Sequence, residues 1–302
     1  MKKNIYAVAA IVTAVLTGSF VPASANDIHP TQSDAQKRCI TSYYKSGLGC
    51  AEFADEFNGN TLNESNWEIR SGYRAPSDLG IYDKKNLKVS NGTLKLNTKV
   101  ESAPWGAQGT GMEIATHRKV AYERFYSEIK LKIKNSEWSG VYFYNEGNVS
   151  GPRLGEIDVA EGFGRTKDGT GVVHQHEREG RYTAPETSEK TQSLVHFSQH
   201  ALNSHGVDES ETGTEQIFVD HPAYQWRTYG VLKDKSGVRI YQNGKQINYI
   251  PASESLYKMS FPSGTPMHLV LAAHVGNKYW GMPNQNTGGI EVDYVRTWSF
   301  SS

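Results

Sequence analysis

Several things are scarce in this sequence, and each scarcity limits what the chain can do. It contains only two cysteines, and nothing near them resembles a Cys/His arrangement, which argues against a catalytic thiol. The formal net charge is zero, which argues against nucleic acid as the main partner. The same balance gives no global reason to expect a strongly anionic substrate, although it leaves room for a local basic cleft. No long stretch has the apolar period of a helix.

The first 25 residues are typical of a signal peptide. Lys2 and Lys3 form a charged start, the run from Tyr6 to Val21 is largely apolar, and Ala23-Ser24-Ala25 resembles a cleavage site. The run is short and broken for a membrane span, although an N-terminal anchor is the alternative. We therefore expect a secreted or periplasmic monomer with no membrane attachment after cleavage. Loss of the segment removes two lysines and no acid, which takes the net charge from zero to about −2.

The two cysteines, Cys39 and Cys50, lie in a polar, irregular leader at residues 26–50. In an oxidising compartment, an even count at short spacing predicts one disulfide. Two free thiols are the alternative.

The rest of the chain, residues 51–302, is typical of one all-β domain. About a dozen short alternating stretches are separated by Gly, Asn and Pro, and two hairpin turns are predicted at Asn91-Gly92 and Asn243-Gly244. This pattern predicts an antiparallel β-sandwich with no repeat and no second core. The polar stretch from Glu177 to Glu215 is interpreted as a long loop, either a lid over a cleft or a disordered segment.

Three carboxylates lie within six residues of a strand-like stretch, Gly155–Gly162. Alternation places Glu156 and Asp158 on one face of a strand and points Glu161 away from them. A bulge of one residue at Val159-Ala160 would bring all three acids to the same face. Because repulsion and desolvation make such a cluster costly, we expect it to have a chemical use.

This Glu-x-Asp-x-x-Glu pattern resembles the signature of glycoside hydrolase family 16, in the bulged-strand form found in laminarinases, agarases and carrageenases. The similarity spans residues 52–298 in ordered blocks, including Phe53–Phe57, Asn91–Leu96, Trp138–Phe143, Trp226–Val231, Val238–Gly244, Leu269–Gly276 and Val292–Arg296. It implies a concanavalin-like jelly roll with an open concave substrate cleft. The residues before the first acid, Gly151–Leu154, and those at Lys233–Lys235 depart from the laminarinase pattern.

The resemblance also implies a role for each acid. Glu156 matches the nucleophile of a retaining glycosidase and Glu161 its general acid/base, with Asp158 assisting between them. Such an enzyme works with carboxyls about 5–5.5 Å apart and needs no cofactor for catalysis. The alternative is an acidic strand face exposed to solvent.

A glycan cleft also needs aromatic platforms for the flat faces of sugar rings. The candidates are Trp105, Trp138, Tyr142, Phe163 and Trp280, each of which is alternatively a core residue. His174 and His176 alternate onto one face and match a substrate-contacting strand of the family. A metal pair is the competing interpretation of these histidines, but no matching third ligand is evident.

Members of the family often hold a structural Ca²⁺ on the convex face with one carboxylate and backbone oxygens. Asp293, together with the carbonyls of Glu56 and Gly92, matches those positions, and oxygen ligands suit Ca²⁺. The alternative is that Asp293 merely caps a strand pairing.

The sequence therefore predicts a secreted retaining endo-glycosidase that hydrolyses a β-linked polysaccharide, with a β-1,3-glucan as the leading substrate. A galactan hydrolase of the agarase or carrageenase kind and a transglycosylase are the enzymatic alternatives. A jelly-roll lectin that binds glycan without cutting it is the non-enzymatic alternative, and the intact acid triplet argues against it.

Overall fold

The protein was analysed as a computed structural model that describes residues 39–72, 79–121, 124–134, 138–145, 154–164, 192–202, 217–222, 225–253, 266–276 and 287–299. These parts of the chain hold sixteen strands: β1 (Phe53–Asp55), β2 (Trp67–Arg70), β3 (Ile81–Tyr82), β4 (Leu87–Ser90), β5 (Thr93–Ala103), β6 (Ala107–Thr116), β7 (Phe125–Ile133), β8 (Trp138–Tyr144), β9 (Leu154–Gly164), β10 (Gln192–Leu202), β11 (Ile217–Pro222), β12 (Trp226–Asp234), β13 (Gly237–Gln242), β14 (Lys245–Pro251), β15 (His268–His274) and β16 (Thr287–Ser299). No helix in the described parts is long and apolar enough to cross a membrane.

The strands form one continuous hydrogen-bonded sheet that folds over on itself. Its order is β11-β10-β9-β8-β15-β6-β5-β16-β7-β12-β13-β14, with β2 and β3 on β6, β4 on β5 and β1 on β16. The change of layer falls between β6 and β5, and strands of the two halves, such as β15 and β16, contact each other across the core. Apart from the short parallel pair of β3 with β6, the pairings among the described strands are antiparallel. This is the predicted all-β sandwich.

Both predicted hairpins are present. Asn91 and Gly92 connect β4 to β5 with φ of 56° and 69°, and Asn243 and Gly244 connect β13 to β14 with φ of 49° and 79°. Asn and Gly tolerate these left-handed angles, and the resulting turns match the twist of the paired strands. Alternation then fixes the faces: in β5, Leu94 and every second residue after it through Thr98 are buried, and the residues between them are only half-buried.

The core lies between the two layers and is built from aliphatic and aromatic side chains of both. Trp67 of β2 packs against Phe53 and Phe57, with ring centroids 5.8 and 6.0 Å apart. The indole Nε1 of Trp67 donates a hydrogen bond to the fully buried Asp55 at 2.7 Å. These contacts join β2, which pairs with β6, to β1, which pairs with β16 in the other layer.

The expectation of a continuous loop at residues 177–215 is wrong. Residues Gln192–Leu202 form β10, which pairs with β9 on one side and with β11 on the other. The stretch carries Leu194, Val195 and Phe197, whose strand preference is masked in the sequence by neighbouring Ser, Gln and His. Pairing also covers the edge that β9 would otherwise expose. The remainder of the predicted insertion lies outside the described residues.

The predicted disulfide between Cys39 and Cys50 is present. The loop that it closes lies against β7, where the buried carboxylate of Glu128 accepts hydrogen bonds from the backbone N–H groups of Tyr43 and Tyr44, each at 3.2 Å. The predicted signal peptide, residues 1–25, and the first part of the leader lie outside the described residues.

Candidate active site

The bulge expected in the acid-bearing strand is present. Along β8, Val141 pairs with Ala160 and the next residue, Tyr142, pairs with Asp158, so that Val159 is an extra residue in β9. The pairing with β10 shifts at the same place. The backbone therefore changes face between Asp158 and Glu161, as the motif requires.

The three acids meet in one pocket on the layer that contains β9, β8, β15 and β6. The pocket has a volume of about 240 Å³ and is lined by Arg70, Tyr82, Glu113, Gly140, Tyr142, Tyr144, Glu156, Asp158, Glu161 and His274. Asp158 is only 1% exposed, whereas Glu156 and Glu161 are half-buried. An inner carboxyl thus lies between two that solvent and substrate can reach.

A second polar group forms the wall of the pocket opposite the acids, on strands β2, β3, β6 and β15. Glu113 accepts hydrogen bonds from Arg70 Nη1 at 2.7 Å, from the Tyr82 hydroxyl at 3.0 Å and from the Tyr142 hydroxyl at 3.1 Å. The Tyr82 hydroxyl also contacts His274 Nδ1 at 2.8 Å. Because Tyr82 has one proton and donates it to Glu113, Nδ1 of His274 is the donor in that contact.

The electrostatics of the pocket keep Tyr142 protonated. Burial raises the pKa of its hydroxyl well above the usual value, and the nearby carboxylates of Glu113 and Glu156 raise it further. At neutral pH the group is a hydrogen-bond donor, which matches its bond to Glu113.

The structure places some of the predicted aromatic platforms, and others lie outside the part of the chain that it describes. Tyr142 lines the pocket. Trp105 is at the β5–β6 turn, 73% exposed and outside the pocket lining, with a left-handed φ of 57°. Trp138 begins β8 and Phe163 is near the end of β9, both on strands that form the cleft, although their side chains lie outside the described part. His174, His176 and Trp280 also lie outside the described residues.

Two histidines of β10, in the stretch predicted to be a loop, pair with two of the acids on β9. On β10, His196 pairs with Glu161 and His200 pairs with Glu156. Sequence reasoning missed this placement, because the strand was interpreted as part of a long loop. The signal that could have revealed it is the short apolar run around Val195, read as a strand next to β9.

The predicted calcium ligands are close in the fold, but their carboxylate is already paired. Asp55 pairs with Val295 and Leu94 with Val292, so the register brings Glu56 and Gly92 beside Asp293. However, Lys130 Nζ is 2.6 Å from the Asp293 carboxylate. As arranged, the group does not fit a cation, and the described residues contain no cluster of three or more His, Cys, Asp or Glu suited to a metal. Calcium binding therefore stays a prediction.

Sequence reasoning missed the wall opposite the acids. Arg70, Tyr82, Glu113 and His274 come from four separate strands, and none belongs to a local motif. Glu113 offered the best signal, since it is a single acid between Met112 and Ile114 in an otherwise uncharged strand.

Comparison with known proteins agrees with this geometry. A curated relative, glucan endo-1,3-beta-glucosidase A1 of Niallia circulans, is 23% identical over 277 residues; the match covers 81% of this chain and 37% of that protein. The laminarinase catalytic domain of Thermotoga maritima superposes with a TM-score of 0.60 at 18% identity, covering 83% of this chain and 98% of that one. The endo-beta-1,3-glucanase of Pyrococcus furiosus superposes with a TM-score of 0.60 at 19% identity, and the match covers 84% of this chain and 95% of that one. At these identities the two structures establish a shared fold.

The sequence model of one family matches residues 50–300, and its description is beta-porphyranase A-D, GH16 domain. It spans all sixteen strands and the three acids of β9. The chain is therefore a glycoside hydrolase and belongs to glycoside hydrolase family 16.

Proposed function

We propose that this protein cleaves internal β-linkages of a polysaccharide by double displacement with retention of configuration. The observation that carries the proposal is the bulge in β9, which brings Glu156, Asp158 and Glu161 to one face at the floor of a cleft. Glu156 attacks the anomeric carbon, while Glu161 protonates the leaving oxygen and then activates the water that releases the product. Asp158, which lies between the two glutamates, assists by positioning the carboxyl group of Glu156.

The leading substrate is a β-1,3-glucan. The curated relative is named as a glucan endo-1,3-beta-glucosidase, and the superposed structures are named as a laminarinase and an endo-beta-1,3-glucanase. The chain spans little more than a third of that curated relative, so the substrate rests on this likeness together with the cleft. A galactan is the second candidate, because the matching family model describes β-porphyranases.

The test is release of reducing ends from laminarin, mixed-linkage β-glucan, agarose, porphyran, carrageenan and chitin. Glu156→Gln and Glu161→Gln should each lower the rate on the cleaved polymer by about 10²–10⁴-fold. Glu64→Gln, at an exposed acid paired with Lys84, is the matched control and should leave the rate unchanged. Proton NMR of the first products should show the anomer of the cleaved bond, and the opposite anomer would refute the double displacement.

We further propose that the chain is exported and acts as a monomer after removal of residues 1–25. The charged and apolar start, followed by Ala-Ser-Ala, and the disulfide between Cys39 and Cys50 support export and cleavage. N-terminal sequencing of protein collected outside the cytoplasm should begin at or near Asn26. Recovery of an intact N-terminus from the membrane fraction would instead indicate an anchor.

A further inference from the structure

The pocket contains a fourth carboxylate that double displacement does not use. Glu113 is 3% exposed and lies in the middle of β6, where it accepts hydrogen bonds from Arg70, Tyr82 and Tyr142. Adding a carboxylate to a pocket that already holds three raises the electrostatic energy of all of them. The three hydrogen bonds compensate the cost of burying the Glu113 carboxylate. They do not explain why a charged residue, rather than a neutral one, is found at this position.

The pairing of the strands shows what lies between this carboxylate and the catalytic acids. Glu161 pairs with Gly140 on β8, Gly140 with Ala272 on β15, and Ala272 with Glu113 on β6. At about 4.8 Å per strand, Glu161 and Glu113 are about 14 Å apart along this row. The two residues between them have almost no side chain, which leaves an open floor.

The ring of Tyr142 crosses that floor. Tyr142 is on β8, and its hydroxyl reaches Glu113 on β6, so that the ring spans the intervening strand β15. An aromatic ring fixed across the bottom of a cleft is a platform for the apolar face of a sugar. Glu113 fixes its position by accepting the hydroxyl hydrogen.

Glu113 also decides the charge of this wall. Arg70 is the one guanidinium among the described residues that line the pocket, and Glu113 lies against it at 2.7 Å, with Glu68 at 3.6 Å on its other side. Burial lowers the pKa of Arg70, but the charge and hydrogen bond of Glu113, with smaller contributions from Tyr142 and Glu68, together outweigh burial and the net shift is upward. The cation is therefore permanent and its charge is compensated within the wall.

We propose that Glu113 is a specificity-determining positioning residue that makes this part of the cleft a subsite for an uncharged sugar ring and excludes a sulfated one. Its carboxylate fixes the ring of Tyr142 through a hydrogen bond. It also pairs with the guanidinium of Arg70, which a sulfate ester would otherwise bind. A sulfate placed over the floor would face Glu156, Asp158 and Glu161 on one side and a compensated Arg70 on the other. This inference rests on the proposed function and narrows its substrate to a backbone that is neutral at this subsite.

The experiment compares neutral and sulfated forms of the same polymer: laminarin with chemically sulfated laminarin, and chemically desulfated porphyran with porphyran. The wild-type enzyme should cleave the neutral member of its preferred pair with a kcat/KM at least about tenfold higher, since like-charge contacts oppose binding of the other member. Glu113→Gln removes the compensating charge but keeps the shape of the side chain. It should lower that neutral-to-sulfated ratio by about tenfold or more, chiefly through KM for the sulfated polymer.

Glu68→Gln is the matched control, because it removes the other carboxylate near Arg70 from a side chain that is 52% exposed and outside the pocket lining. Its ratio should stay within about twofold of the wild type, as expected for an exposed ion pair. Thermal unfolding of all three proteins shows whether the fold is retained. A general loss of structure lowers both rates together and leaves the ratio unchanged.

Two results would overturn the inference while leaving the proposed function intact. One is a wild-type enzyme that cleaves the sulfated polymer as well as or better than the neutral one. The other is a Glu113→Gln enzyme that unfolds at the wild-type temperature and yet loses activity on both polymers equally. If the wild type cleaves no polymer, the proposed function fails, and retardation in gels containing each polymer decides the inference separately. Retardation by the neutral members would then support it, whereas retardation by the sulfated members or by neither would refute it.

Discussion

Trp67→Phe should destabilise the protein more at pH 8 than at pH 5. Trp67 and Asp55 are both buried in the core, and the indole N–H donates to one carboxylate oxygen at 2.7 Å while the Phe57 N–H donates to the other at 2.8 Å. Phenylalanine keeps most of the ring and removes only one of these two donors. The carboxylate then stays buried with one hydrogen bond fewer.

The size of the effect follows from what is removed. A hydrogen bond to a charged group contributes about 1.5–3 kcal/mol. The indole has two more ring carbons than phenyl, and each buried carbon contributes about 0.8 kcal/mol. We therefore expect the free energy of unfolding of the Trp67→Phe protein to fall by about 3–5 kcal/mol at pH 8.

The pH dependence comes from Asp55. Burial raises its pKa from 3.8 to about 6, and the hydrogen bonds from Trp67 and Phe57 offset that rise only in part. A carboxyl with a raised folded pKa contributes stability that is present below the unfolded value and is lost as pH rises through the folded value. Trp67→Phe removes a hydrogen bond that lowers this pKa, so the variant's pKa is higher still. Its penalty therefore grows as pH rises through 6 and is full only above the pKa of the variant. At pH 5 the folded carboxyl is largely protonated, and the penalty should shrink by about 1–2 kcal/mol.

Urea unfolding at pH 5 and pH 8 measures both quantities. Trp298→Phe is the matched control, because Trp298 is equally buried but its Nε1 donates to the neutral carbonyl of Ile40 at 3.3 Å. The control should lose about 2–3 kcal/mol at either pH, from the same two carbons and a neutral hydrogen bond. A Trp67→Phe penalty that is the same at both pH values would refute the reasoning about Asp55.

Three further expectations concern the fold. Gly111→Ala would place a Cβ 2.2 Å from a backbone carbonyl oxygen of β15, so urea unfolding should show a loss of about 2 kcal/mol or more, and wild-type stability would contradict the close approach. Reduction of Cys39–Cys50, which are 11 positions apart, should cost roughly 3 kcal/mol in urea unfolding without lowering the rate in the cleft, and a parallel loss of activity in the folded protein would argue against it. Lys130→Ala frees the carboxylate of Asp293, so added Ca²⁺ should raise its melting temperature more than that of the wild type, whereas equal responses would count against this calcium site.

The features that the sequence predicted correctly are those fixed by neighbouring residues. The turns at Asn91-Gly92 and Asn243-Gly244 follow from the backbone angles that Asn and Gly accept, and the strands on either side follow from alternation. The disulfide follows from two cysteines at short spacing. Each of these inferences needs only a few residues and one physical rule.

The features that were missed depend on pairing between distant parts of the chain. Strand β10 has a mixed composition that does not predict a strand, and its pairing with β9 and β11 stabilises it. The contact of Arg70 with Glu113 joins residues 43 positions apart, and that of Tyr82 with His274 joins residues 192 apart. Strand order and register decide such contacts, and neither can be read from a local pattern.

The catalytic strand β9 combines local and long-range information. Its sequence pattern predicts a cluster of acids only if the pairing of the strand contains a bulge. In a regular strand, the five-residue spacing would turn Glu161 to the core side, where a carboxylate without a partner would cost several kcal/mol. The bulge instead lets Val159 and Ala160 both stay buried, at 0% and 2% exposure, while Glu161 returns to the cleft. The same backbone irregularity therefore protects the core and assembles the acids. A sequence that keeps two apolar residues between the second and third acids satisfies both requirements, which explains why the acids could be predicted while the wall that faces them could not.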